Sequence, residues 1–328
     1  MNSTTGSLMK AAVQERYGPP QGLRLAQIEK PIVGDGDVLL RVRAAGVNPL
    51  DWHLVRGTPF VARMAMGMPK PKITIRGVDV AGRVEKVGKD VTHLRPGDDV
   101  FGWCNGAFAE YASGAENHFV AKPPNLTYEE AAALPVAAVT ALQGLRNVGK
   151  LQPGQRVLIN GAAGGVGTFA VQIAKALGAE VTGVCSSRNI DLVKSIGADH
   201  AIDYTREDFT EAAERYDVIL DNAGNQSISA IRRTLVPGGA LVYNSGASMP
   251  RIAMAGLLSR MGQKVFTFLA QLNHDDLAFI CSLVESGKVR SVIDRTYPLD
   301  EIGAAIAYVA AGHVRGKVVV TPAANPLC

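Results

Sequence analysis

Val157-Leu158-Ile159-Asn160-Gly161-Ala162-Ala163-Gly164-Gly165-Val166-Gly167 is the most informative stretch of this sequence. An apolar run leads into a turn rich in glycine, and a helical pattern follows with one apolar face, formed by Val166, Phe169, Ala170, Ile173 and Leu177. A strand that enters a helix through such a turn is typical of a dinucleotide site, because backbone N–H groups and the helix dipole then point at the pyrophosphate.

The glycine spacing departs from the common G-x-G-x-x-G pattern at one place. Ala162 stands where the first glycine is expected, whereas Gly164 and Gly167 keep the spacing and Gly161 opens the turn one residue early. A tight turn without a ligand is the alternative, and the strand–turn–helix context favours the cofactor. The contacts predicted at this turn are Gly161, Ala163, Gly164, Gly165, Val166 and Gly167.

The end of the second strand indicates which dinucleotide binds. An NAD site places a carboxylate about 20 residues after the glycines. Here the strand ends in Cys185-Ser186-Ser187-Arg188, without an acid. Hydroxyl groups and a guanidinium suit a 2′-phosphate, since Arg offers a charge-assisted fork. We therefore predict NADP(H), bound there by Ser186, Ser187 and Arg188. The alternative is that Arg188 is a solvated residue at a helix start.

Two patterns divide the rest of the chain. Residues 1–124 have short strands broken by turns, whereas strands alternate with helices from 125 to 288, which predicts a parallel sheet covered on both faces. The strands predicted in this second part are 156–160, 180–185, 200–203, 217–221, 240–244 and 264–268. Further strands are predicted at 37–44, 73–87, 100–103, 289–293 and 317–321. We therefore predict a β-rich domain, 1–124 and 289–328, and an α/β domain, 125–288, inserted into it.

Length and composition exclude several classes of protein. The chain has 328 residues, 47% hydrophobic and 20% charged, which predicts a folded protein of two domains. No apolar run approaches the roughly 18 residues of a membrane helix, and residues 1–8 lack the features of a signal peptide. The net charge is +4 without a basic stripe of interleaved aromatics. We expect a cytoplasmic protein with neither nucleic acid nor membrane as a partner.

The four cysteines do not indicate a metal or redox motif. Cys104, Cys185, Cys281 and Cys328 stand far apart, and no two have the close spacing of zinc ligands or of a redox pair. We interpret them as reduced thiols.

Several further motifs resemble one family. They are Ala45-Gly46-Val47-Asn48-Pro49-Leu50-Asp51, Gly77-Val78-Asp79-Val80-Ala81-Gly82, Arg95-Pro96-Gly97-Asp98, Leu134-Pro135-Val136 and Gly312-His313-Val314-Arg315-Gly316-Lys317-Val318. With the glycine turn, they make the chain similar to the medium-chain dehydrogenase/reductase superfamily, in its zinc-independent quinone oxidoreductase-like branch. The resemblance runs from Met9 to Pro322 and implies a GroES-like catalytic domain, an inserted Rossmann domain and a homodimer or homotetramer.

The resemblance also places the zinc ligands of metal-dependent members. Asn48, Val78 and Val136 occupy those positions here, and Asp79 beside Val78 cannot supply the three protein ligands of a catalytic zinc. The lobe that holds a structural zinc is reduced to residues 103–111, with Cys104 alone. We predict a chain that binds no metal.

Hydride transfer from NADPH to a quinone or an α,β-unsaturated carbonyl is the activity that the resemblance implies. The same resemblance implies a catalytic role for Asn48, Asp51 and His53. The alternatives are that Asn48 and Asp51 brace a turn beside Pro49 and that His53 is structural. The cofactor set is completed by Thr140, Tyr204, Asn222, Ser245 and Lys317.

The predicted substrate is a small apolar carbonyl or quinone. One group of candidate lining residues is Met64, Met66 and Met68, which would otherwise pack as core. A second group is Trp103, Met249, Met254, Leu257 and Met261. Two other functions stay open, an alcohol dehydrogenase or carbonyl reductase of the same superfamily and an NADPH-binding sensor without turnover.

Overall fold

The computed structural model describes residues 7–244, 257 and 264–322. The strands are β1 (Leu8–Val13), β2 (Arg24–Glu29), β3 (Asp37–Val47), β4 (Asp79–Val87), β5 (Asp99–Trp103), β6 (Tyr111–Ala115), β7 (Phe119–Ala121), β8 (Arg156–Asn160), β9 (Glu180–Cys185), β10 (His200–Asp203), β11 (Tyr216–Asp221), β12 (Leu235–Tyr243), β13 (Val265–Thr267), β14 (Ile293–Pro298) and β15 (Lys317–Thr321). The α-helices are α1 (Pro49–Arg56), α2 (Arg63–Met66), α3 (Tyr128–Ala132), α4 (Pro135–Leu142), α5 (Gly165–Ala176), α6 (Ile190–Ser195), α7 (Ile228–Arg233), α8 (His274–Glu285) and α9 (Ile302–Ala310).

The chain forms two compact units. The first comprises residues 1–136, 272–278 and 293–328, and the second comprises 137–271 and 279–292. Residues 125–136, which we predicted in the α/β domain, therefore belong to the β-rich unit. The reason is close packing, because a Cβ atom added at Gly46 in β3 would lie 2.5 Å from the carbonyl oxygen of Ala132 in α3.

The first unit is built on a seven-stranded sheet. Its order is β14-β15-β3-β4-β5-β7, and β6 also pairs with β3. The long central strand β3 is buried along most of its length, with Val38, Leu40 and Val42 in the core. Helix α9 covers this core with a stripe at helical spacing, Ile302, Ala305, Ile306 and Val309.

The second unit is a six-stranded parallel sheet in the order β10-β9-β8-β11-β12-β13. Val157, Leu158 and Ile159 of β8 are completely buried, as expected for a central parallel strand with helices on both faces. The strand order reverses direction between β8 and β11, which is where dinucleotides bind in doubly wound folds. The predicted α/β class with a parallel sheet is confirmed.

Local patterns located most elements of the parallel sheet but not all elements of the first unit. The strands β8, β9, β10 and β15 have the predicted limits. The predicted strand 73–87 is a strand only over β4, because Gly77 has a φ of +92° and interrupts the extended chain. The strand predicted at 289–293 is wrong, since β14 begins at Ile293.

No helix in the part of the chain that the structure describes has both the length and the hydrophobicity needed to cross a bilayer.

Candidate functional site

The turn between β8 and α5 has the geometry of a phosphate-binding loop. Gly161 has a φ of +77°, a backbone conformation that favours glycine. A Cβ atom at Gly167 would lie 2.1 Å from the carbonyl oxygen of Gly161, so only glycine allows the helix to pack this closely on the turn. A Cβ atom at Gly164 would meet only that same oxygen, at 3.5 Å, so this side of the turn is open.

Helix α5 begins without a side-chain cap from its N-cap residue. That residue is Gly164, in extended backbone conformation, which has no side chain to accept a hydrogen bond from the first turn. The first N–H groups of a helix carry a partial positive charge and need an acceptor. The open face of Gly164 and the uncapped helix start therefore fit an anionic pyrophosphate, as predicted for Gly165 and Val166.

Asn222 lies at the carboxyl end of β11, beside the glycine turn. Its side-chain oxygen accepts a hydrogen bond from Asn244 Nδ2 at 2.8 Å, which fixes the orientation of the amide. The Nδ2 atom of Asn222 is buried and has no hydrogen-bond partner among the described residues. A buried donor without a partner costs free energy, so a ligand that accepts from it would be favoured here. Asn222 fits its predicted role in binding the cofactor.

A polar network that we did not predict supports this edge of the sheet. Asn160 Nδ2 donates to Asp221 Oδ1 and to Asn225 Oδ1, each at 2.9 Å. Asp221 Oδ1 also accepts from the backbone N–H groups of Ala223 and Gly224. The network holds the loop after β11 against β8. Asn160 and Asp221 lie 61 residues apart in sequence, so no local pattern reveals their contact.

The end of β9 differs from the sequence interpretation in one respect. No acid follows β9, but Asp203 at the end of β10 lies beside it, paired in register with Cys185. Ser187 Oγ donates to Asp203 Oδ2 at 2.5 Å, and this hydrogen bond lowers the pKa of Asp203. Ser187 therefore has a carboxylate partner within the protein.

The carboxylate of Asp203 is already engaged on both oxygens. Oδ1 accepts from the backbone N–H and the hydroxyl of Thr205, and Oδ2 lies 3.5 Å from Arg206 Nε. Ser186 Oγ accepts from Asn189 Nδ2 at 3.2 Å. Arg188 and Tyr204 are exposed at the same end of the strands. Arg188 and Tyr204 thus stay the candidates for a 2′-phosphate that solvent can reach.

The remaining members of the predicted cofactor set lie in different places. Thr140 is buried in α4, and Ala163 is buried in the glycine turn. Ser245 lies outside the described residues, as do Met249, Met254 and Met261 of the predicted substrate group. Lys317 lies in the first unit, where its ammonium group has partners within the protein.

Lys317 belongs to a buried polar cluster with Asn48 and Asp79. Its Nζ atom lies 2.6 Å from Asn48 Oδ1 and 3.3 Å from Asp79 Oδ2. Asn48 Nδ2 donates to Asp79 Oδ2 at 2.9 Å, and the backbone N–H of Val136 donates to Asp79 Oδ1 at 2.9 Å. Asp79 is fully buried and Lys317 is 3% exposed. Burial raises the pKa of Asp79, and the Lys317 ammonium and these donors oppose the rise.

The cluster includes one position at which the resemblance placed a zinc ligand, Asn48, and contacts a second, Val136. Asn48 and Val136 are both joined to Asp79, so the fold does bring these positions together. Within the described residues, no group of three His, Cys, Asp or Glu side chains is arranged to hold a metal ion. Among the described residues, Cys104, Cys185 and Cys281 form no disulfide bond.

Asp51 braces the start of α1. Its carboxylate accepts a hydrogen bond from the backbone N–H of Asn48 at 2.8 Å, and Pro49 occupies the first helical position. This geometry is the turn-bracing alternative, and a catalytic role for Asp51 stays a prediction. Burial raises the pKa of Asp51 to about 7.

The raised pKa predicts a pH dependence of stability. The folded protein binds this proton more tightly than the unfolded chain, whose pKa is near 3.8. The stabilisation from protonated Asp51 is complete below about pH 4 and is lost as the pH rises to about 7. We expect the free energy of unfolding to fall over this range relative to Asp51→Asn, which keeps the acceptor without the charge. Urea denaturation at several pH values measures it, and a constant difference between the two proteins would contradict it.

His53 lies on α1 but does not join the buried cluster. Its Nδ1 atom is 3.3 Å from Thr58 Oγ1, and its ring packs edge-on against Trp52. Partial burial lowers the pKa of His53 below its ordinary value. The side chain is nevertheless exposed to solvent.

An apolar cavity of about 210 Å³ lies within the first unit. Its wall is mostly apolar, with Leu54, Met66, Ile73, Ile75 and Val78, and it also includes the polar side chains of Lys72, Arg76 and Asn105. Of Met64, Met66 and Met68, only Met66 lies in this wall, whereas Met64 and Met68 are 75% and 60% exposed. The cavity suits a small apolar ligand.

Comparisons with known proteins agree with this architecture. The family models "Alcohol dehydrogenase GroES-like domain" and "Zinc-binding dehydrogenase" match residues 34–125 and 196–320. A chloroplastic quinone-oxidoreductase of Triphysaria versicolor is 33% identical over 97% of this chain and 99% of its own length. A chloroplastic NADPH-dependent alkenal/one oxidoreductase of Arabidopsis thaliana is 34% identical over 96% and 80%.

A solved structure gives the same result. The quinone oxidoreductase from Coxiella burnetii superposes with a TM-score of 0.86 at 31% identity, covering 96% of this chain and 99% of that one. The motifs of the sequence, the two units and these relatives agree. The chain belongs to the medium-chain dehydrogenase/reductase superfamily, in its quinone oxidoreductase-like branch.

Proposed function

We propose that this protein is an NADPH-dependent oxidoreductase that works without zinc and reduces a quinone or an α,β-unsaturated carbonyl. The observation that carries the proposal is the turn from Gly161 to Gly167. The turn packs so closely on α5 that a side chain at Gly167 is excluded, whereas the space beside Gly164 is open. Similarity to a quinone-oxidoreductase and to an alkenal/one oxidoreductase supports the substrate class. When bound, the nicotinamide supplies the hydride, and the residues of the chain bind and orient the cofactor and the substrate.

In the second unit, binding and orientation fall to the glycine turn and to Asn222. The uncapped start of α5 would hold the pyrophosphate, as a helix N-terminus does for anions. The buried Nδ2 donor of Asn222 would orient an acceptor group of the cofactor. The Nδ2 donor of Asn222 has no acceptor among the described residues, and the N-cap residue Gly164 gives α5 no side-chain cap.

The choice of NADPH rests on Arg188. A hydrogen bond to a charged group contributes about 1.5–3 kcal/mol, so we expect Arg188→Ala to weaken NADPH binding by about 10- to 150-fold. NADH binding is expected to change little, because NADH lacks the 2′-phosphate. Isothermal titration with both cofactors tests this. Arg206→Ala, which removes an exposed cation paired with Asp203, is the matched control. Equal weakening of both cofactors by Arg188→Ala would contradict the phosphate role.

In the first unit, we assign to Asn48 the stabilisation of negative charge on the substrate oxygen. Lys317 donates to its Oδ1, and one hydrogen of its Nδ2 goes to Asp79. An amide nitrogen carries two hydrogens, so the second Nδ2 hydrogen of Asn48 can donate to an oxyanion. A donor held in place before the reaction stabilises the developing charge without reorganising. Lys317 and Asp79 are thus positioning residues.

His53 is the candidate proton donor after hydride transfer. General-acid help contributes about 10²–10⁴-fold, so His53→Phe is expected to lower enone turnover about 100-fold and quinone turnover about tenfold or less. The reason is that reduced quinones are stable anions that water can protonate, whereas enolates are more basic. Turnover with both substrates at saturating NADPH across the pH range measures the difference. Equal losses with the two substrates would leave His53 a structural role.

A zinc-dependent alcohol dehydrogenase is the second candidate, because one matching family model is described as a zinc-binding dehydrogenase. The two functions are separated by testing naphthoquinones, benzoquinones, enals, cyclic enones and primary alcohols, before and after prolonged chelation. Quinone or enone reduction that survives chelation supports the proposal. Stoichiometric zinc, together with alcohol oxidation that chelation abolishes, would replace it. NADPH binding without turnover of any acceptor would indicate a sensor.

A further inference from the structure

Residues 56–73 form an exposed surface segment that is both basic and apolar. The segment contains Arg56, Arg63, Lys70 and Lys72 and no acidic residue. Its four cations equal the net charge of the whole chain, which is +4. We propose that the 56–73 segment docks this protein on an anionic lipid surface. The docking does not depend on the proposed function, but the delivery of substrate described below does.

Four apolar side chains of the segment are exposed to solvent, and we call them the apolar stripe. They are Phe60, Val61, Met64 and Met68; Met64 lies in the short helix α2, and Met68 follows Gly67, at which the helix ends. Phe60 is 67% and Met64 75% exposed, whereas such side chains are usually buried in a folded protein. Adjacent apolar side chains left in water mark an interaction site.

Three cations of the segment, Arg56, Lys70 and Lys72, are exposed, and the Arg56 guanidinium also lies over the Trp52 ring at 5.0 Å. Arg56 and Lys70 are exposed, and neither takes part in an ion pair within the part of the chain that the structure describes. Arg63 instead donates to the carbonyl oxygens of Gly57 and Arg56 and holds the segment together. Exposed cations around exposed apolar side chains are the features of a segment that lies in the interface of an anionic membrane.

The chemistry favours lipid over the other possible partners. A second copy placed by two-fold symmetry would face this segment with the same segment, and cations would then meet cations. A nucleic acid would leave Val61, Met64 and Met68 without an apolar partner. From the sequence we predicted no membrane partner, because no apolar run approaches the length of a membrane helix. The exposure of these side chains, which the sequence does not reveal, changes that expectation to one of peripheral binding.

The segment also borders the apolar cavity of the first unit. Met66, Lys72 and Ile73 belong to the segment and to the cavity wall. A quinone dissolved in the lipid would therefore lie close to the mouth of this cavity. This step rests on the proposed function.

Flotation of the full-length protein with vesicles tests the docking. We expect it to bind vesicles of phosphatidylcholine with phosphatidylglycerol, to lose this binding at high salt, and to bind pure phosphatidylcholine far more weakly. Arg56→Gln with Lys70→Gln is expected to weaken partitioning about 30-fold. Lys86→Gln with Lys194→Gln, which removes two exposed lysines elsewhere, should change it little. Equal losses for the two pairs would overturn the proposal.

A second variant separates insertion from charge attraction alone. Phe60→Ser with Met64→Ser keeps every cation, and we expect it to weaken partitioning at least about tenfold. Circular dichroism and thermal unfolding verify that each variant is folded. Unchanged partitioning of this variant would overturn docking through the apolar stripe, as would preferential binding of a DNA duplex or self-association through the segment.

Turnover then distinguishes docking from the proposed function. Reduction of a long-chain quinone in anionic vesicles should fall with Arg56→Gln and Lys70→Gln, whereas reduction of a water-soluble quinone should not. If the wild-type protein binds the vesicles but reduces neither quinone, the proposed function fails and the docking stands. If both reactions proceed without vesicle binding, the docking fails and the function stands.

Discussion

Replacing Lys317 by methionine is expected to lower the free energy of unfolding by about 3–5 kcal/mol, because it leaves the carboxylate of Asp79 buried without a counter-charge. Methionine fills a similar volume, so the loss of stability is caused by the missing charge and not by a cavity. The effect should shrink at acid pH, where the unpaired Asp79 takes up a proton. Urea denaturation at neutral pH and at about pH 5 measures both.

The matched control is the double variant Lys317→Met with Asp79→Asn. Its amide has no charge but still accepts the hydrogen bond from the N–H of Val136, so we expect much of the lost stability to return. If the double variant is as unstable as Lys317→Met, the charge of Asp79 is not the cause. Turnover should not return with stability, since Asn48 Oδ1 has lost its donor and the amide is free to rotate.

Gly167→Ala is expected to damage the second unit more than any other change at the glycine turn. The new Cβ atom would lie 2.1 Å from the Gly161 oxygen and 2.8 Å from Ala162, so backbone must move. Such overpacking costs about 1–3 kcal/mol of stability. A displacement of about 1 Å at the turn should also reduce turnover about 100-fold.

Gly164→Ala provides the contrast within the same turn. Its backbone has a φ of −81°, which alanine adopts without strain, and its Cβ atom would meet one oxygen at 3.5 Å. We expect the free energy of unfolding to stay within about 0.5 kcal/mol of wild type. The added methyl group should obstruct the pyrophosphate and weaken NADPH binding. Wild-type NADPH affinity in Gly164→Ala would show that the cofactor does not approach this face.

The second unit could be predicted well because its signals are local. The apolar run of β8, the glycines and the stripe on α5 lie within about 20 adjacent residues, and each is enough to define its element. The limits of β8, β9 and β10 follow from such runs. Asp203 was missed as a partner of Ser187, since only the pairing of β10 with β9 brings the two together.

The first unit was harder to predict because distant pairing defines it. The strand β14 has its position through parallel pairing with β15, and its own sequence is mostly polar. Similarly, Lys317 was assigned to the cofactor by resemblance, whereas its structural partners are Asn48 and Asp79, 269 and 238 residues away. No spacing rule connects residues at such distances, so family resemblance identified the positions without their contacts.

The late position of β15 has a consequence for the order in which the protein is made. Val318, Val319 and Val320 pair with the end of β3, and Lys317 neutralises Asp79. At about 5–20 residues per second, a ribosome needs about 10–50 s to travel from Asn48 to Lys317. By the end of that time the nascent chain holds every described strand of the parallel sheet, whereas the β3 edge that β15 will cover is still unpaired and Asp79 still lacks its counter-charge. We expect this interval to be when newly made chains are most prone to aggregate and most dependent on chaperones.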